Sequence, residues 1–239
     1  MKIEIIKCLK DNYSYLVIDE TTKIACVIDP SEAKPIIDVV EQKKINLKYI
    51  LNTHHHYDHV GGNLELKEKY NCEIIGYRGD KDRIPEIDVL LHDNQVWKRN
   101  KFEAKIYHIP GHTTGHIAFH FFNEKKIFTG DTLFSLGCGR IFEGTYEQMF
   151  NSLKKIKKLP LDTKIYCGHE YTFQNSNFCI ANDSKNSKLK DKIIEIKKKL
   201  EKNLPTIPSI LADELDCNIF LKAKDVKSFS KLRDLKDNF

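Results

Sequence analysis

The chain has 239 residues, a formal charge of +5 and an ordinary hydrophobic share of 41%. This length suits one large domain with an appendage or two modest domains, and no run of about eighteen apolar residues predicts a membrane-spanning helix. The lysine excess lies largely in amphipathic stretches and no nucleic-acid motif accompanies it, so the composition disfavours a nucleic-acid-binding protein.

Hydrophobic periodicity predicts a β-rich opening and then alternating strands and helices. The predicted strands, in chain order, cover residues 3–6, 13–18, 24–28, 49–52, 73–76, 102–109, 117–122, 126–129 and 164–167. Predicted helices begin near Glu32 and cover residues 63–70 and 145–157, with Pro35 tolerated in the first turn of the first helix. This mixture predicts a sandwich of sheets and helices.

The strand signal fades after about residue 171. Apolar residues then recur at helical spacing, at Leu189, Ile193, Ile196 and Leu200. Two prolines, Pro205 and Pro208, interrupt this pattern. We therefore predict a catalytic domain over residues 1–171 and a smaller helical domain over residues 172–239.

The cysteines and the N-terminal residues indicate where the protein works. Seven cysteines are scattered, odd in number and without a Cys-x-x-Cys pair, which favours reduced thiols. The first seven residues alternate apolar and charged side chains as a strand does, and they lack the apolar core of a secretory signal. We expect a cytoplasmic protein.

The segment 53–59 reads Thr-His-His-His-Tyr-Asp-His directly after an apolar run. His54 and His56 are two positions apart, so in an extended segment they face the same side. Asp58 and His59 can turn toward a second position as a helix begins. His55 would face the opposite way and is expected to pack rather than bind. This geometry suits two adjacent metal ions, although a surface histidine cluster is the simpler alternative for this segment alone.

Three further segments repeat the pattern of an apolar strand, a short turn and a potential ligand. The ligands are His112, Asp131 and His169, each preceded by glycine. Ligands at the C-terminal ends of strands converge on one rim of a sheet, and glycine permits tight turns there. A Gly-His pair alone more often marks a turn, so the prediction of one site depends on all the segments together.

Seven nitrogen and oxygen ligands are too many for one tetrahedral ion and suit two ions that share a carboxylate. Asp131 is the natural bridge. The predicted ligands are His54, His56 and His112 for one ion and Asp58, His59 and His169 for the other. No cysteine joins the set, so we expect two divalent ions, with zinc as the first choice and iron or manganese also compatible.

The His-x-His-x-Asp-His motif, with the later Gly-His, Gly-Asp and Gly-His elements, resembles the metallo-β-lactamase superfamily. The resemblance covers about residues 1–171. It implies an α+β fold, a four-layer αββα sandwich with a dinuclear site at one edge, here followed by a small C-terminal helical domain. The superfamily holds lactamases, thioesterases, lactonases, nucleases and a persulfide dioxygenase, so the motif says more about fold than about substrate.

Three motifs look more narrowly like the glyoxalase II (hydroxyacylglutathione hydrolase) family. They are Pro-Gly-His-Thr-x-Gly-His at residues 110–116, Phe-Thr-Gly-Asp-Thr-Leu-Phe at 128–134 and Cys-Gly-His-Glu-Tyr-Thr at 167–172. The helical C-terminal domain matches too. The positions that bind glutathione in that family are occupied by Arg140, Phe142, Tyr171, Arg233 and Lys236.

Two of these positions depart from the family's pattern. Arg140 stands where lysine is usual, and its planar fork suits a carboxylate. Phe142 stands where a tyrosine contacts glutathione, and it can only pack. The departures concern glutathione affinity more than activity. Without the resemblance, Arg233 and Lys236 would be interpreted as an exposed basic tail.

The resemblance implies a thioesterase that converts S-D-lactoylglutathione, and other 2-hydroxyacylglutathiones, to glutathione and D-lactate in the final step of methylglyoxal detoxification. A metal-bridging hydroxide would attack the thioester carbonyl, with Asp58 and Asp131 as the expected catalytic carboxylates. A thiolate leaves readily, so no dedicated general acid is required. The expected partner is the small glutathione thioester, with no nucleic acid, membrane or obligate protein partner.

Several alternatives stay open. A mononuclear iron persulfide dioxygenase shares the superfamily motif, although the C-terminal Arg-x-x-Lys pair favours the hydrolase. A catalytically inactive metal-binding scaffold is disfavoured because all seven ligand positions are occupied. His116 is expected to be structural rather than a ligand, and Cys138 is expected to be a loop thiol rather than a nucleophile.

Overall fold

A computed structural model describes residues 1–239, and the backbone contacts divide the chain into two units. The first unit comprises Met1–His108 and Gly115–Glu124, and the second comprises Ile109–Thr114 and Lys125–Phe239. No helix combines the length and the hydropathy that crossing a bilayer requires.

The first unit contains a six-stranded mixed sheet whose strands lie in sequence order. They are β1 (Lys2–Cys8), β2 (Asn12–Ile18), β3 (Ile24–Ile28), β4 (Asn46–Leu51), β5 (Glu73–Tyr77) and β6 (Val89–Leu91). The first three strands pair antiparallel, and β3 to β6 pair parallel. Strand β3 is a continuous apolar run, Ile-Ala-Cys-Val-Ile, and the last four of its residues are buried.

Three helices of this unit follow the strands: α1 (Ala33–Gln42), α2 (Tyr57–Val60) and α3 (Asn63–Tyr70). Helix α1 buries Ile36 and Val40, which are four positions apart and therefore lie on one face. Helix α3 ends at Tyr70, and the left-handed backbone of the next residue, Asn71, closes the last turn. Leu66 of α3 and the buried face of α1 share one core cluster with the sheet.

A second group of strands in the first unit is antiparallel: β7 (Val96–Arg99), β8 (Phe102–His108) and β9 (Ile117–Phe121). Trp97 and Phe102 are buried, and their rings stack with centroids 6.4 Å apart. A short 3₁₀ turn follows β5 and another follows β9.

The second unit contains β10 (Lys126–Gly130), β13 (Lys164–Cys167) and β14 (Ser209–Ile210), with a short hairpin formed by β11 (Leu133–Phe134) and β12 (Gly137–Cys138). Strands β10 and β13 are parallel, and β14 runs antiparallel to β13. The parallel pair places the C-terminal ends of β10 and β13 at the same edge.

Six helices complete the second unit: α4 (Tyr146–Ile156), α5 (Thr172–Asn182), α6 (Ser187–Glu201), α7 (Leu211–Cys217), α8 (Ile219–Lys222) and α9 (Val226–Asp237). Helix α4 begins at a capping box between Thr145 and Gln148. A second capping box, between Asp225 and Ser228, begins α9. The predicted helical character after residue 171 is confirmed by α5 to α9.

Candidate metal centre

The histidine-rich segment of the first unit follows β4 and is fixed by buried hydrogen bonds. Asn52 Nδ2 donates to the His59 carbonyl (3.1 Å), and Asn63 Nδ2 donates to Asn52 Oδ1 (2.8 Å). The backbone N–H of Ile117, in β9, donates to the Thr53 carbonyl (2.8 Å). The turn between β4 and α2 is therefore tied to neighbouring elements at both of its ends.

Four of the predicted ligands, His54, His56, Asp58 and His59, form the first donor set, within the first unit. His54 Nε2 lies 3.2 Å from His56 Nδ1, and the His54 and His59 ring centroids are 4.1 Å apart. Asp58 Oδ2 lies 3.7 Å from His59 Nε2 and accepts a hydrogen bond from Asn12 Nδ2 (3.0 Å). His54 and His59 are both buried.

Asp29 orients this segment from the end of β3. Its Oδ1 accepts from the Thr53 N–H (2.7 Å), and its Oδ2 accepts from Thr53 Oγ1 (2.6 Å). His59 Nδ1 lies 3.0 Å from the same Oδ2. An ionised carboxylate can only accept, so the His59 proton is on Nδ1 and the lone pair of the neutral ring is on Nε2. Although Asp29, His54 and His59 lie close enough to surround an ion, both Asp29 oxygens already have donors.

His55 and His116 contact protein groups. His55 Nδ1 lies 3.6 Å from Asp80 Oδ2, and its Nε2 lies 3.5 Å from Arg83 Nη1. The His116 ring stacks on His54 with centroids 4.6 Å apart and an interplanar angle of 18°. That neither histidine is a ligand stays a prediction.

The second donor set, within the second unit, consists of His112, Asp131 and His169. The β10–β13 register pairs Gly130 with Cys167, so Asp131 and His169 follow the two strands at one edge. Gly130 has a φ of +46°, a left-handed conformation that favours glycine. Asp131 Oδ2 lies 3.2 Å from His169 Nε2 and 3.6 Å from His112 Nε2. All three side chains are buried.

His112 is oriented by the backbone. Its Nδ1 lies 2.8 Å from the Arg140 carbonyl oxygen, which can only accept, so Nδ1 carries the proton and Nε2 faces Asp131. Gly111 precedes it with a φ of +152°. A Cβ at Gly111 would lie 2.7 Å from Met149 Cβ, so this turn requires glycine for space as well as for conformation.

Both donor sets fit divalent metal. Imidazole nitrogens and carboxylate oxygens suit zinc, iron and manganese. Two nitrogens bound to one tetrahedral ion at about 2.0–2.1 Å would be about 3.3 Å apart, close to the 3.2 Å between His54 Nε2 and His56 Nδ1. Asp131 Oδ2 has an imidazole nitrogen on each of two sides, as a carboxylate ligand among histidines would.

Three of the predicted glutathione-binding residues lie near either Asp237 or the predicted metal ligand His169, both in the second unit. The Tyr171 ring stacks on His169 with centroids 4.7 Å apart and an interplanar angle of 4°. Asp237 Oδ1 lies 3.3 Å from Arg140 Nε and 2.9 Å from Arg233 Nη2. Arg233 is only 3% exposed, so its interpretation as part of an exposed basic tail is wrong.

The other two predicted glutathione-binding residues differ in environment. Lys236 Nζ lies 5.4 Å above the Phe178 ring, and burial, with the positive charge of Arg233, lowers the pKa of Lys236. Phe142 is 63% exposed, and its ring centroid lies 5.1 Å from that of His112. Burial also raises the pKa of the Cys138 thiol to about 11, which agrees with an unreactive thiol.

Asp29 is a functional candidate that the sequence interpretation missed. It directly follows β3, the same strand-to-ligand pattern that identified Asp131 after β10 and Gly130. The pattern was therefore present in the sequence, but the hydrogen-bond partners of Asp29 lie 24 and 30 positions further along the chain. Only the pairing of β3 with β4 brings them together.

Comparison with known proteins gives two family matches and close relatives. The sequence model of the metallo-beta-lactamase superfamily matches residues 10–169, and that of the hydroxyacylglutathione hydrolase C-terminus matches residues 170–239. A hydroxyacylglutathione hydrolase of Pelagibacter ubique (strain HTCC1062) is 70% identical over 239 residues, covering 100% of both chains. One of Methylococcus capsulatus (strain ATCC 33009 / NCIMB 11132 / Bath) is 40% identical, covering 98% of this chain and 97% of that one.

Solved structures give the fold. The crystal structure of ETHE1 from Myxococcus xanthus matches with a TM-score of 0.76 and 22% identity, covering 98% of this chain and 90% of that chain. This likeness and the superfamily match confirm the predicted α+β metallo-β-lactamase fold.

Proposed function

Because the chain belongs to the hydroxyacylglutathione hydrolase family of the metallo-β-lactamase superfamily, we propose that it hydrolyses 2-hydroxyacylglutathione thioesters. The principal substrate is S-D-lactoylglutathione, and the products are glutathione and D-lactate, the final step of methylglyoxal detoxification. The observation that carries the proposal is the full-length 70% identity to a hydroxyacylglutathione hydrolase. The clustered donors within each unit supply the chemistry that this reaction needs.

Under this proposal the predicted ligands would hold two divalent cations, with Asp131 as the expected shared carboxylate. The support is chemical: seven nitrogen and oxygen donors exceed the needs of one tetrahedral ion. When bound, the ions lower the pKa of a coordinated water toward neutrality and polarise the thioester carbonyl. Zinc is the proposed metal, and iron or manganese suit the same donors.

The chain's own groups direct the ligand atoms. Asp29 accepts the His59 Nδ1 proton (3.0 Å), and the Arg140 carbonyl accepts the His112 Nδ1 proton (2.8 Å). Each contact leaves Nε2 as the nitrogen that binds metal and holds the ring in one orientation. Asn12 holds Asp58 through Oδ2 (3.0 Å). Asp58 and Asp131 would be the catalytic carboxylates of the centre: both would hold metal, and Asp58 would also orient the attacking hydroxide.

The glutathione part of the substrate carries two carboxylates, and the proposed cradle for it is cationic. Arg140, Arg233 and Lys236 supply the positive charge, and an arginine fork suits a carboxylate. Tyr171 contributes a hydroxyl, whereas Phe142 offers only an apolar face. The departing thiolate has an ordinary pKa of about 8.5, so proton donation to it is not required for its release.

The proposal includes the organisation and location of the protein. Residues 1–171 form the catalytic domain and residues 172–239 the helical glutathione-binding domain, which the abutting family matches support. A cytoplasmic location is supported by seven buried cysteine thiols with no disulfide, because structural disulfides are rare in that compartment. The glutathione thioester is the only partner that this function requires.

The test is hydrolysis of S-D-lactoylglutathione by the metal-loaded protein, measured as the loss of thioester absorbance. We expect turnover that chelation and Asp131→Ala abolish. The matched control is Asp38→Ala, which removes an exposed carboxylate paired with Lys34 and should leave turnover unchanged. No turnover by metal-loaded protein would contradict the proposal, and uptake of oxygen with a glutathione persulfide would then favour the dioxygenase alternative.

A further inference from the structure

The hairpin of β11 and β12, residues 133–138, directly links two parts of the second donor set. Asp131 precedes it, and Arg140, whose carbonyl orients His112, follows it. The hairpin returns the chain to its starting point: Gly139 N–H donates to the Thr132 carbonyl (3.2 Å), and a Cβ at Gly139 would lie 1.9 Å from the Asp131 carbonyl oxygen. A displacement of the hairpin would therefore move both Asp131 and the acceptor that orients His112.

The hairpin has only two residues in each strand, too few for stability on its own. Four successive carbonyls, of residues 135 to 138, each accept a hydrogen bond from a helix or helix-cap side chain. The donors, in order, are Asn175 (3.1 Å), Cys179 (3.1 Å), Asn218 (3.1 Å) and Arg233 (2.7 Å). The helical part of the second unit thus holds the turn of the hairpin by its backbone.

Glu214 of α7 adds a hydrogen-bond acceptor to these four donors. Its Oε2 accepts from the Leu136 N–H (2.8 Å) and from Asn218 Nδ2 (3.0 Å). Leu136 has a φ of +58°, a conformation that a leucine rarely adopts unless its surroundings impose it. Glu214 is 1% exposed and Asn218 is fully buried. The Glu214 carboxyl group therefore holds the strained corner of the hairpin, and it also holds the Asn218 amide that binds the next carbonyl.

We infer that Glu214 is a positioning residue for the second donor set: it fixes the hairpin so that Asp131 and the His112-orienting Arg140 carbonyl keep their places. The inference rests on the proposed function of that set as metal ligands. Glu214 itself contacts neither His112 nor Asp131 among its hydrogen-bond partners, which are the Leu136 N–H and the side chains of Asn218, Ser209 and Ser135.

The decisive substitution removes the acceptor and keeps the side-chain length: Glu214→Met. We expect it to weaken zinc binding by about 10-fold, the lower end of the range seen when groups that contact a ligand directly are lost, because Glu214 acts through the hairpin. Glu214→Gln retains an acceptor oxygen for the Leu136 N–H and should restore binding to within about threefold. Lys192→Met is the matched control. Lys192, in α6, forms an ion pair with Asp213 (2.9 Å), which lies beside Glu214 in α7, so the substitution perturbs α7 without touching the hairpin.

The readouts are zinc affinity by competition with a chromophoric chelator and the visible absorption spectrum of the cobalt-substituted protein. If Glu214 had only a structural role, Glu214→Met would lower the melting temperature but would leave the zinc affinity and the cobalt spectrum unchanged, as we expect for Lys192→Met. Folded Glu214→Met with wild-type zinc affinity and cobalt spectrum would overturn the inference. For turnover, the expected change is a lower kcat with an unchanged KM.

A second variant keeps the test decisive where Glu214→Met does not fold. Asn218→Ser retains a side-chain oxygen for the N-cap bond to the Phe220 N–H and removes the amide donor to the Gly137 carbonyl. It should weaken zinc binding in the same direction, and wild-type affinity in Asn218→Ser would refute the inference. Because zinc affinity needs no turnover, an inactive wild-type protein would contradict the proposed thioesterase while leaving this result interpretable.

Discussion

Asp29→Asn should weaken metal binding although Asp29 is not a proposed ligand. Asp29 receives three donors: the Thr53 N–H and Oγ1 and the His59 Nδ1–H. Asparagine keeps the shape of the side chain but offers one acceptor oxygen in place of two. Because the Thr53 N–H and the His59 N–H meet different oxygens, one of them must lose its acceptor.

The magnitude follows from which contact is lost. When the amide nitrogen faces His59, two N–H groups oppose each other, and the ring can restore a bond only by moving its proton to Nε2, the nitrogen proposed to bind metal. Loss of an orienting partner costs about 10- to 100-fold in metal affinity, which corresponds to about 1.4–2.8 kcal/mol. When the amide nitrogen faces Thr53 instead, a buried N–H loses its acceptor and folding loses about 1–3 kcal/mol.

Two assays separate these outcomes: zinc affinity by chelator competition and urea unfolding of the metal-free protein. The control is Asp38→Asn, an exposed aspartate on α1 paired with Lys34, for which neither quantity should change. Asp29→Asn with zinc affinity within twofold of wild type and an unchanged urea midpoint would refute the assignment of Asp29 as the group that orients His59.

Three further predictions concern stability and substrate affinity. Burial, with Lys105 nearby, lowers the pKa of His120 to about 4. Between about pH 6.5 and 4 the unfolded state therefore binds a proton that the folded state does not. The free energy of unfolding should fall by up to about 3 kcal/mol as the pH is lowered through this range. Urea titrations of His120→Gln should show a shallower fall, and an identical pH slope would contradict this reasoning. Phe229→Ala should lower the urea-derived free energy of unfolding by about 3–5 kcal/mol, because the fully buried ring packs between Phe150 and Phe220; a loss below about 1 kcal/mol would be inconsistent with that packing. Phe142→Tyr should lower KM for the glutathione thioester a few-fold at unchanged kcat, and an unchanged KM would contradict the proposed contact.

The proposed ligands could be predicted from the sequence because each follows an apolar strand that is itself recognisable. Strands β10 and β13 have four or five residues, within the length at which apolar patterning is informative. Their parallel pairing then brings Asp131 and His169 to one edge. The strands of two or three residues escaped prediction because so short a segment carries no measurable period, and these include both strands of the hairpin. Strand β7 escaped although it has four residues, because Val-Trp-Lys-Arg is neither alternating nor continuously apolar.

The orienting groups could not be predicted for a different reason. Glu214 is 78 positions from Leu136, and Asp29 is 30 positions from His59. Local patterning does not identify such pairs, because an acidic residue looks the same in the sequence whether its side chain faces solvent or a buried N–H. Their identification requires the tertiary structure, because a buried acceptor has no water to bind and must be paired with specific donors.

The orienting contacts of the two donor sets are chemically unequal. His59 donates to the Asp29 carboxylate, whereas His112 donates to the neutral Arg140 carbonyl. A hydrogen bond to an ionised acceptor is roughly twice as strong as a neutral one, and a carboxylate partner raises the basicity of the opposite ring nitrogen. Under the proposed assignment, the ion held by Asp58 and His59 should therefore bind more tightly than the ion held by His112. The carbonyl that orients His112 also depends on the hairpin and so on Glu214, which makes the weaker position the one more sensitive to the helical part of the second unit.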